Sequence, residues 1–414
     1  MPADALKCKE CRTEYPLEAR YVCERCFGPL EASYAPRSAT GEELRRRIQA
    51  GPHTLWRYAD FLPVESRPEA ALPTGWTPLV RADRLAARLG LGEVWVKNET
   101  ANPTHSFKDR VVSVALARAQ ELGFETLSCA STGNLANAVA AHAAAAGLPA
   151  YVFIPADLEE AKILATGAYG ARVMAVRGNY DRVNRLVTEL SAERPSWAFV
   201  NVNLRPYYAE GSKTLAYETA EQLGWEVPDR VVAPVASGSL FTKVARGFEE
   251  FIDAGLVAPG SGVPIMNGAQ AAGCSPVAQA WEAGTDVCRP VKPDTIAKSL
   301  AIGNPADGPY AIELARRTSG GIDAVTDDEI RAGVRLLAET TGIFTETAGG
   351  VTTATLAKLA ARGEIGRDER VVVYITGDGL KTIDTVRGTF EVNEIEPDVE
   401  AFEAAMGELV GATV

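Results

Sequence analysis

The sequence predicts an α/β protein of two domains, built on parallel sheets covered by helices, with a small cysteine-bearing module at the N-terminus. Three observations support this fold class. The chain has 414 residues, of which 46% are apolar, so it exceeds the usual size of one domain. From residue 75 onward, short apolar runs alternate with helix-length segments, a pattern typical of parallel sheets. Four of the seven cysteines lie within the first 34 residues.

The predicted strands are short apolar runs, and a helix-length segment separates most of them. Strands are expected at 94–96, 126–129, 150–154, 172–176, 198–202, 230–235 and 371–375. Helices are expected at 111–122, 135–146, 158–165, 180–193, 212–223, 240–254, 327–340 and 351–361. Open α/β sheets bind ligands at the carboxyl ends of their strands, where loops lead into helices. We therefore looked for polar loops at these strand ends.

The charge and hydropathy of the chain exclude some classes of partner. With 42 basic and 54 acidic residues the formal net charge is −12, whereas a broad nucleic-acid interface requires clustered positive charge. No apolar run reaches the length of a membrane span, and the N-terminus lacks a basic region followed by an apolar stretch. We therefore expect a cytoplasmic protein that binds neither nucleic acid nor membranes.

The N-terminal cysteines follow the pattern of a zinc ribbon. Cys8 and Cys11 form one C-x-x-C pair, and Cys23 and Cys26 form a second pair eleven residues later. Thiolates paired in this way can close a tetrahedral zinc site that leaves no open position, so the zinc would be structural rather than catalytic. Bare thiols or disulfides remain alternatives.

The stretch Asn102–Arg110 contains the lysine on which the functional prediction depends. It reads Asn-Pro-Thr-His-Ser-Phe-Lys-Asp-Arg and places Lys108 just ahead of a predicted helix. Burial lowers the pKa of a lysine, and the neutral amine can then form a Schiff base with a carbonyl cofactor and carry protons. The alternative is a solvated lysine, although the helix dipole mildly disfavours a cation at a helix start.

Polar loops follow three of the predicted strands. They are Ser131-Thr132-Gly133-Asn134, Ala236-Ser237-Gly238-Ser239-Leu240 and Thr376-Gly377-Asp378-Gly379. Free backbone amides at a helix N-terminus make a natural anion site, which the first two loops could provide. A plain helix cap would explain the first loop equally well, and a tight turn would explain the third.

Taken together, these motifs resemble those of the fold type II pyridoxal phosphate (PLP) enzymes and, among them, of the threonine synthases. The resemblance rests on Ser-Phe-Lys-Asp-Arg around Lys108, on 131–134 and on 376–379, and it spans about residues 75–387. It implies two α/β domains with the cofactor between them, and a homodimer. The implied division is 1–34 for the cysteine module, 35–109 and 206–414 for the large domain, and 110–205 for the small domain.

The resemblance also implies a role for each loop. PLP would be joined to Lys108, its 3-oxygen would be bonded by Asn134, and its pyridine nitrogen would face the hydroxyl of Thr376. Residues 236–240 would hold the cofactor phosphate, although this loop is poorer in glycine than the family's version. The substrate carboxylate would lie on Ser131, Thr132 and Gly133.

Two cations near the end of the small domain, Arg205 and Lys213, are further candidates for anion binding. Arg205 offers a planar fork that suits a phosphate, and Lys213 offers a point charge. For Arg205 the sequence leaves two interpretations open: contact with a substrate phosphate, or an ion pair at the protein surface or between domains.

The activity implied by the resemblance is the conversion of O-phospho-L-homoserine and water to L-threonine and phosphate, with Lys108 as the catalytic proton carrier. Other fold type II reactions share this lysine, among them β-replacement on O-phosphoserine by cysteate synthases and dehydration of threonine. A non-catalytic zinc-ribbon binding protein is the alternative from a different class. The sequence lacks the motifs of nicotinamide, P-loop, α/β-hydrolase and zincin enzymes.

Overall fold

Three sheets organise the part of the chain that the computed structural model describes, residues 3–35, 38–68, 70–131 and 133–411, with side chains only as far as 406. The strands are β1 (Ala3–Cys8), β2 (Glu14–Tyr15), β3 (Leu30–Tyr34), β4 (Leu79–Arg81), β5 (Glu93–Asn98), β6 (Thr126–Ala130), β7 (Ala150–Pro155), β8 (Arg172–Val176), β9 (Trp197–Phe199), β10 (Arg230–Pro234), β11 (Ile265–Ala271), β12 (Gly321–Val325) and β13 (Arg370–Ile375).

Helices connect most of these strands. The α-helices are α1 (Gly41–Ala50), α2 (Asp83–Leu89), α3 (Lys108–Glu121), α4 (Asn134–Ala145), α5 (Glu160–Ala168), α6 (Tyr180–Glu193), α7 (Arg205–Glu210), α8 (Thr214–Gln222), α9 (Ser239–Asp253), α10 (Pro276–Glu282), α11 (Gly308–Arg317), α12 (Asp327–Thr341), α13 (Thr347–Ala361) and α14 (Val399–Gly411). Short 3-10 helices cover Leu55–Phe61, Glu99–Ala101, Gly211–Lys213, Lys298–Leu300 and Gly379–Val386. Across the described residues, we find no helix with the length and apolar character needed to cross a membrane.

The six-stranded sheet has the order β12-β11-β10-β13-β5-β4, and only the edge strand β4 runs antiparallel to its neighbour. Strands β10 and β13 lie side by side although about 140 residues of sequence separate them. Because they are parallel, their carboxyl ends lie at the same edge of the sheet. The loops at 236–240 and 376–379 are thereby brought together, as the predicted α/β fold requires.

The four-stranded sheet has the order β8-β7-β6-β9 and is parallel throughout. Its strands and the helices between them occupy residues 126–199, which lie within the predicted small domain. Strand β6 is fully buried and leads into the loop at 131–134. Helices α3 and α4 pack against each other in the same apolar core, and so position the residues around 108 and 134 next to one another.

Strands β11 and β12 are absent from the sequence prediction. Strand β11 reads Ile-Met-Asn-Gly-Ala-Gln-Ala, so two amides and a glycine interrupt the apolar run that would have signalled a buried strand. The structure satisfies both amides: the Asn267 Oδ1 atom accepts from Arg230 Nη1 at 2.8 Å. The Gln270 Oε1 atom accepts from the backbone N–H groups of Val277 and Ala278. Partners that lie far away in sequence therefore make this burial possible.

A buried ionic network fixes the start of α3. Arg110 donates to Glu99 Oε2 at 2.6 Å and to Glu218 Oε1 at 2.6 Å, and Lys97 donates to Glu218 Oε2 at 2.8 Å. All four side chains have 0% exposed area. Burial opposes the charge on Glu218, but the cations of Arg110 and Lys97 lower the pKa of that carboxyl to about 2. Two cations thus balance two carboxylates just beyond Lys108.

The cysteine module is an antiparallel sheet of order β2-β1-β3. Its buried residues Leu6 and Leu30 belong to the same apolar core as Val111 and Leu116 of α3. The module is therefore packed onto the small domain through a shared core.

Candidate active site

A cavity of about 210 Å³ opens at the ends of β6, β10 and β13. It is lined by ten of the residues predicted from the sequence: Lys108, Ser131, Asn134, Arg205, Ala236, Ser237, Gly238, Ser239, Leu240 and Thr376. These residues come from five separate stretches of the chain, and the parallel sheets explain why they meet. The cavity is the candidate active site.

Lys108 is the first residue of α3 and turns its amine into the cavity. Its Nζ atom donates to Tyr208 Oη at 3.0 Å and lies 4.4 Å from the centre of the Phe107 ring. Burial lowers the pKa of Lys108 from 10.5 to about 8, while the carboxylate of Glu346 acts in the opposite direction. A substantial fraction of the amine is therefore neutral near physiological pH, which nucleophilic and proton-transfer roles require.

Asn134 is the first residue of α4 and is held between two charged side chains. Its Nδ2 atom donates to Glu346 Oε1 at 2.8 Å, and its Oδ1 atom accepts from Lys381 Nζ at 3.0 Å. A carboxylate can only accept and an ammonium can only donate, so these neighbours determine which way the amide is turned. The second N–H of the amide is left for another partner. Burial lowers the pKa of Lys381 to about 8, with Glu346 again acting against the shift.

The loop before α4 contains the residues predicted to bind the substrate carboxylate. Ser131 Oγ accepts from the backbone N–H groups of Gly133 at 3.0 Å and Ala136 at 2.8 Å. The hydroxyl of Ser131 thus acts as a helix cap, but its own O–H remains able to donate to a ligand. Gly133 has φ 126°, and a Cβ there would lie 2.2 Å from Lys162 Cδ. Thr132 lies outside the described residues.

The loop at 236–240 ends β10 and begins α9, a helix of fifteen residues. Gly238 has φ 96°, and a Cβ there would lie 2.6 Å from the carbonyl oxygen of Asp307. The backbone N–H of Asp307 donates to the carbonyl of Ser237 at 2.8 Å. The backbone N–H of Ser239 donates to Ser237 Oγ at 3.4 Å, and Gly238, Ser239 and Leu240 all line the cavity. The N-terminus of α9 therefore lies at the cavity, and backbone N–H groups in such a position can bind an anion.

Arg205 and Asp307 form an ion pair beside this loop, with 2.6 Å between Nη2 and Oδ2. The Arg205 side chain is 22% exposed and lines the cavity. Of the two interpretations of the sequence, the ion pair is observed. The guanidinium has further N–H donors beyond the one used in this pair, and these could bind a ligand in the cavity.

Thr376 follows β13 and lines the cavity at the end of the central strands. Its carbonyl accepts from the backbone N–H of Phe107 at 3.0 Å, so the residue just before Lys108 is tied to the loop at 376. Thr376 is 3% exposed, which holds its hydroxyl in a sheltered position.

Comparisons with known proteins agree with this geometry. The sequence profile of a family described as "Pyridoxal-phosphate dependent enzyme" matches residues 70–377. The threonine synthase of Methanocaldococcus jannaschii is 38% identical over 97% of this chain and 99% of its own length. That of Halalkalibacterium halodurans is 39% identical over 84% of this chain and 95% of its own length.

The chain belongs to the threonine synthase family of pyridoxal-phosphate dependent enzymes. Solved structures with the same fold include the processed form of threonine deaminase isoform 2 from Solanum lycopersicum. It has a TM-score of 0.63 and 22% identity, over 85% of this chain and 90% of the other. Maize serine racemase has a TM-score of 0.59 and 19% identity, over 91% and 99%. At these identities the structures show the fold alone, and the predicted two-domain fold type II architecture is confirmed.

The residues that line the cavity fit pyridoxal phosphate. Lys108 supplies a partly neutral amine for the aldehyde, and the N-terminus of α9 supplies backbone donors for the phosphate. The hydroxyl oxygen of Ser299 also lines the cavity and is buried, yet it has no hydrogen-bond partner among the described residues. A buried donor without a partner is costly, and a phosphate oxygen would remove that cost.

Two predicted site residues, Gly133 and Lys213, are not among the residues that line the cavity. The Lys213 side chain is fully buried and forms ion pairs with Glu210 at 2.6 Å and Glu250 at 3.0 Å. The prediction that it binds substrate is therefore withdrawn, because its charge is already neutralised away from the cavity. His105 is exposed, has φ 60° and also lies outside the cavity lining.

Several residues around the cavity were not assigned a role from the sequence, among them Tyr21, Tyr208, Ser299, Glu346 and Lys381. Of these five, only Lys381 carries a sequence signal, since it follows Thr376 by five residues in the same polar loop. The others lie in segments whose proximity to Lys108 depends on the tertiary fold.

The four N-terminal cysteines have the geometry of a metal site. Their sulfur atoms all lie within 4.8 Å of one another, and the Cys8–Cys26 and Cys11–Cys23 separations are both 3.5 Å. Zinc–sulfur bonds of about 2.3 Å in a tetrahedron place sulfur atoms about 3.8 Å apart. A disulfide needs about 2.05 Å, so the cysteines are free thiols. The cluster can therefore hold one metal ion.

Proposed function

We propose that this protein converts O-phospho-L-homoserine and water to L-threonine and phosphate. The observation that carries the proposal is one cavity in which a buried amine meets three sets of anion donors. Lys108 is the amine, and the donors are the N-terminus of α9, the capped loop at Ser131 and the guanidinium of Arg205. Three anions would need such sites: the cofactor phosphate, the substrate carboxylate and the substrate phosphate. The threonine synthases at 38–39% identity support the same activity.

Pyridoxal phosphate, when bound, supplies an electron-accepting ring that stabilises negative charge on the carbon atoms of the substrate. The residues of this chain supply the remaining functions. The amine of Lys108, with its pKa near 8, removes the α-proton and returns protons to neighbouring carbons. Ser131 donates its O–H to the carboxylate. Arg205 holds the phosphate as it leaves the γ carbon, before water adds at the β carbon.

We further propose that Asn134 and Thr376 contact the cofactor ring, at its 3-oxygen and its nitrogen. A hydroxyl partner leaves the ring nitrogen unprotonated, so the ring withdraws electrons less strongly. The protein must then stabilise part of the developing charge by itself. The cation of Lys381, which donates to Asn134 at 3.0 Å, is suitably placed to contribute.

The rival reactions differ in what they require of Arg205. Threonine has no phosphate, so dehydration of threonine leaves the Arg205 fork without a partner in the substrate. O-phosphoserine carries a phosphate on a side chain that is one carbon shorter. A non-catalytic zinc-ribbon protein would not need a lysine with a lowered pKa inside a cavity, and the geometry around Lys108 weighs against it.

Phosphate release from O-phosphohomoserine tests the proposal. Wild type is expected to release phosphate and form threonine, and Lys108→Ala is expected to lose this activity, whereas Lys292→Ala, an exposed lysine, retains it. Parallel reactions contain O-phosphoserine with sulfite, or threonine alone. Consumption of O-phosphoserine without consumption of O-phosphohomoserine would contradict the proposal, as would full activity of Lys108→Ala.

The remaining expectations about the whole protein are also proposals. We propose zinc as the metal of the cysteine cluster, a homodimer, a cytoplasmic location, and domains at 1–34, 110–205 and the remainder. Metal analysis, sedimentation velocity, cell fractionation and limited proteolysis test them in that order.

A further inference from the structure

One residue of the cysteine module reaches the candidate active site. Tyr21 lines the same cavity as Lys108 and Arg205, although it lies in the module that the sequence assigns to metal binding alone. It precedes Cys23 by two residues. Tyr21 also packs against the small-domain core that contains Ala130 and Phe199. The module is thus part of the cavity wall as well as a separate structural unit.

We call the segment 12–22 the ribbon loop. Hydrogen bonds to its backbone and its attachment to the cysteine cluster hold it in this position. Tyr207 Oη of α7 donates to the carbonyl of Glu18 at 3.0 Å, and Arg118 of α3 donates to the carbonyl of Leu17. These are backbone acceptors, so the contacts fix the course of the ribbon loop itself. Its far end is attached to the cysteine cluster through Cys23.

The module also contacts the large domain. Glu31 of β3 forms an ion pair with Lys243 of α9 at 3.0 Å, and the Lys9 amine lies 3.6 Å from the centre of the Tyr310 ring on α11. Helix α9 is the one whose N-terminus faces the cavity. The module therefore bridges elements from both lobes of the cavity, and the ribbon loop is the part that extends into it.

The position of Tyr21 depends on the cysteine cluster. Cys23 is fully buried, and its sulfur lies 3.1 Å from Tyr15 Oη and 3.5 Å from Cys11 Sγ. With a metal bound, the two ends of the ribbon loop are tied to one point. Without it, four thiols at these separations have no covalent link to hold them, and the loop keeps only its contacts with Tyr207, Arg118 and the small-domain core.

Tyr21 lines the cavity together with Arg205, the residue proposed above to hold the substrate phosphate. Its electrostatic neighbours are Arg205 and Tyr180, and it is remote in sequence from the loops at 134, 236–240 and 376. From these contacts we propose that Tyr21 binds the substrate, and that metal binding by the four cysteines holds it there. The inference rests on the proposed function, because it specifies which residues contact the substrate of that same cavity.

Kinetics of the cofactor-loaded, zinc-loaded protein give the first test. Tyr21→Ala is expected to raise KM for O-phosphohomoserine about tenfold with little change in kcat, because it removes binding shared by the ground and transition states. Tyr21→Phe keeps the ring and is expected to raise KM about threefold. Tyr169→Ala, an exposed tyrosine on the small domain, is the matched control and keeps wild-type values.

Metal release gives a second readout that does not depend on turnover. If ligand binding and metal binding are coupled through Tyr21, the coupling is reciprocal. Saturating O-phosphohomoserine is then expected to slow the transfer of zinc to a chromogenic chelator severalfold in the cofactor-loaded Lys108→Ala protein, which does not consume the substrate. In the Tyr21→Ala, Lys108→Ala protein the substrate is expected to have no effect on that rate.

The outcomes separate the two proposals. If wild type fails to release phosphate from O-phosphohomoserine, the proposed function is wrong whatever Tyr21 does. If wild type is active but Tyr21→Ala and Tyr21→Phe both keep its KM, the inference about Tyr21 is overturned. It is also overturned if both variants lose zinc or cofactor, because Tyr21 would then only support the fold.

Discussion

The amine of Lys108 is expected to titrate near pH 8 in the cofactor-free protein, well below its ordinary value of 10.5. At pH 7 a group with a pKa of 8 is neutral in about one molecule in eleven, compared with about one in 3,000 for a pKa of 10.5. Burial in the cavity therefore increases the neutral fraction about 300-fold. Because the ammonium form is the one that burial penalises, the neutral fraction rises with pH and is nearly complete about one unit above the pKa.

The rate of cofactor capture reports this titration. Only the neutral amine attacks an aldehyde, so the capture rate is expected to rise about fivefold from pH 7 to pH 8 and to level off about one pH unit above the pKa. Absorbance after rapid mixing follows capture from about pH 7 upward, where a phosphate with a second pKa near 6 is already dianionic. Lys108→Ala provides the blank, and Lys292→Ala is expected to reproduce the wild-type profile.

A second buried amine, that of Lys381, provides a test of whether Lys108 is the group that titrates near pH 8. Burial also lowers the pKa of Lys381 to about 8, so the profile must be repeated with Lys381→Met. If the midpoint near pH 8 disappears in that variant, the titrating group is not Lys108. A capture rate that still increases tenfold per unit above about pH 9 would refute the reasoning, because it would show an amine in contact with bulk solvent.

Three further predictions concern the surroundings of the cavity. Lys381→Met removes the donor that orients Asn134 and is expected to weaken cofactor binding about tenfold in equilibrium dialysis; unchanged affinity would show that Asn134 needs no orientation. Glu218→Gln removes the carboxylate that two buried cations share, so the free energy of unfolding in urea is expected to fall by about 3–5 kcal/mol. Gly238→Ala would place a Cβ 2.6 Å from a carbonyl oxygen and is expected to reduce cofactor affinity at least about tenfold, because the loop must move. The control is Gly147→Ala, because Gly147 also has a positive φ, of 68°, but a Cβ there would meet no atom within 4 Å. If both variants lose cofactor affinity, the cause is the backbone angle and not the close contact at Gly238.

Local patterns predicted most of the helices to within a few residues. The helix expected from residue 327 does begin at Asp327, with a capping box between Thr326 and Glu329. The helix after the lysine motif begins three residues earlier than expected, at Lys108. Caps and apolar periodicity are properties of neighbouring residues, and for that reason they are visible in the sequence.

The candidate site was partly predictable for a related reason. Lys108, Asn134 and Thr376 each belong to a recognisable short motif, at the start of a helix for the first two and after a strand for the third. Glu346 has no such loop motif, and its importance lies in its contacts with Asn134 and with the charge of Lys108. For Lys213 the sequence predicted a ligand contact that the structure does not show. Its cation is paired with the buried carboxylates of Glu210 and Glu250.

By itself, the sequence determined the class of fold, the lysine of the cavity, the loops that meet it and the four thiols, because each depends on residues close together in the chain. Only the tertiary structure decided which charges are already neutralised, which amides are oriented, and that Tyr21 of the cysteine module faces the cavity. Those outcomes depend on distances between residues that are far apart in sequence. Free energies of burial and of charge pairing are set by such distances, and no local pattern records them.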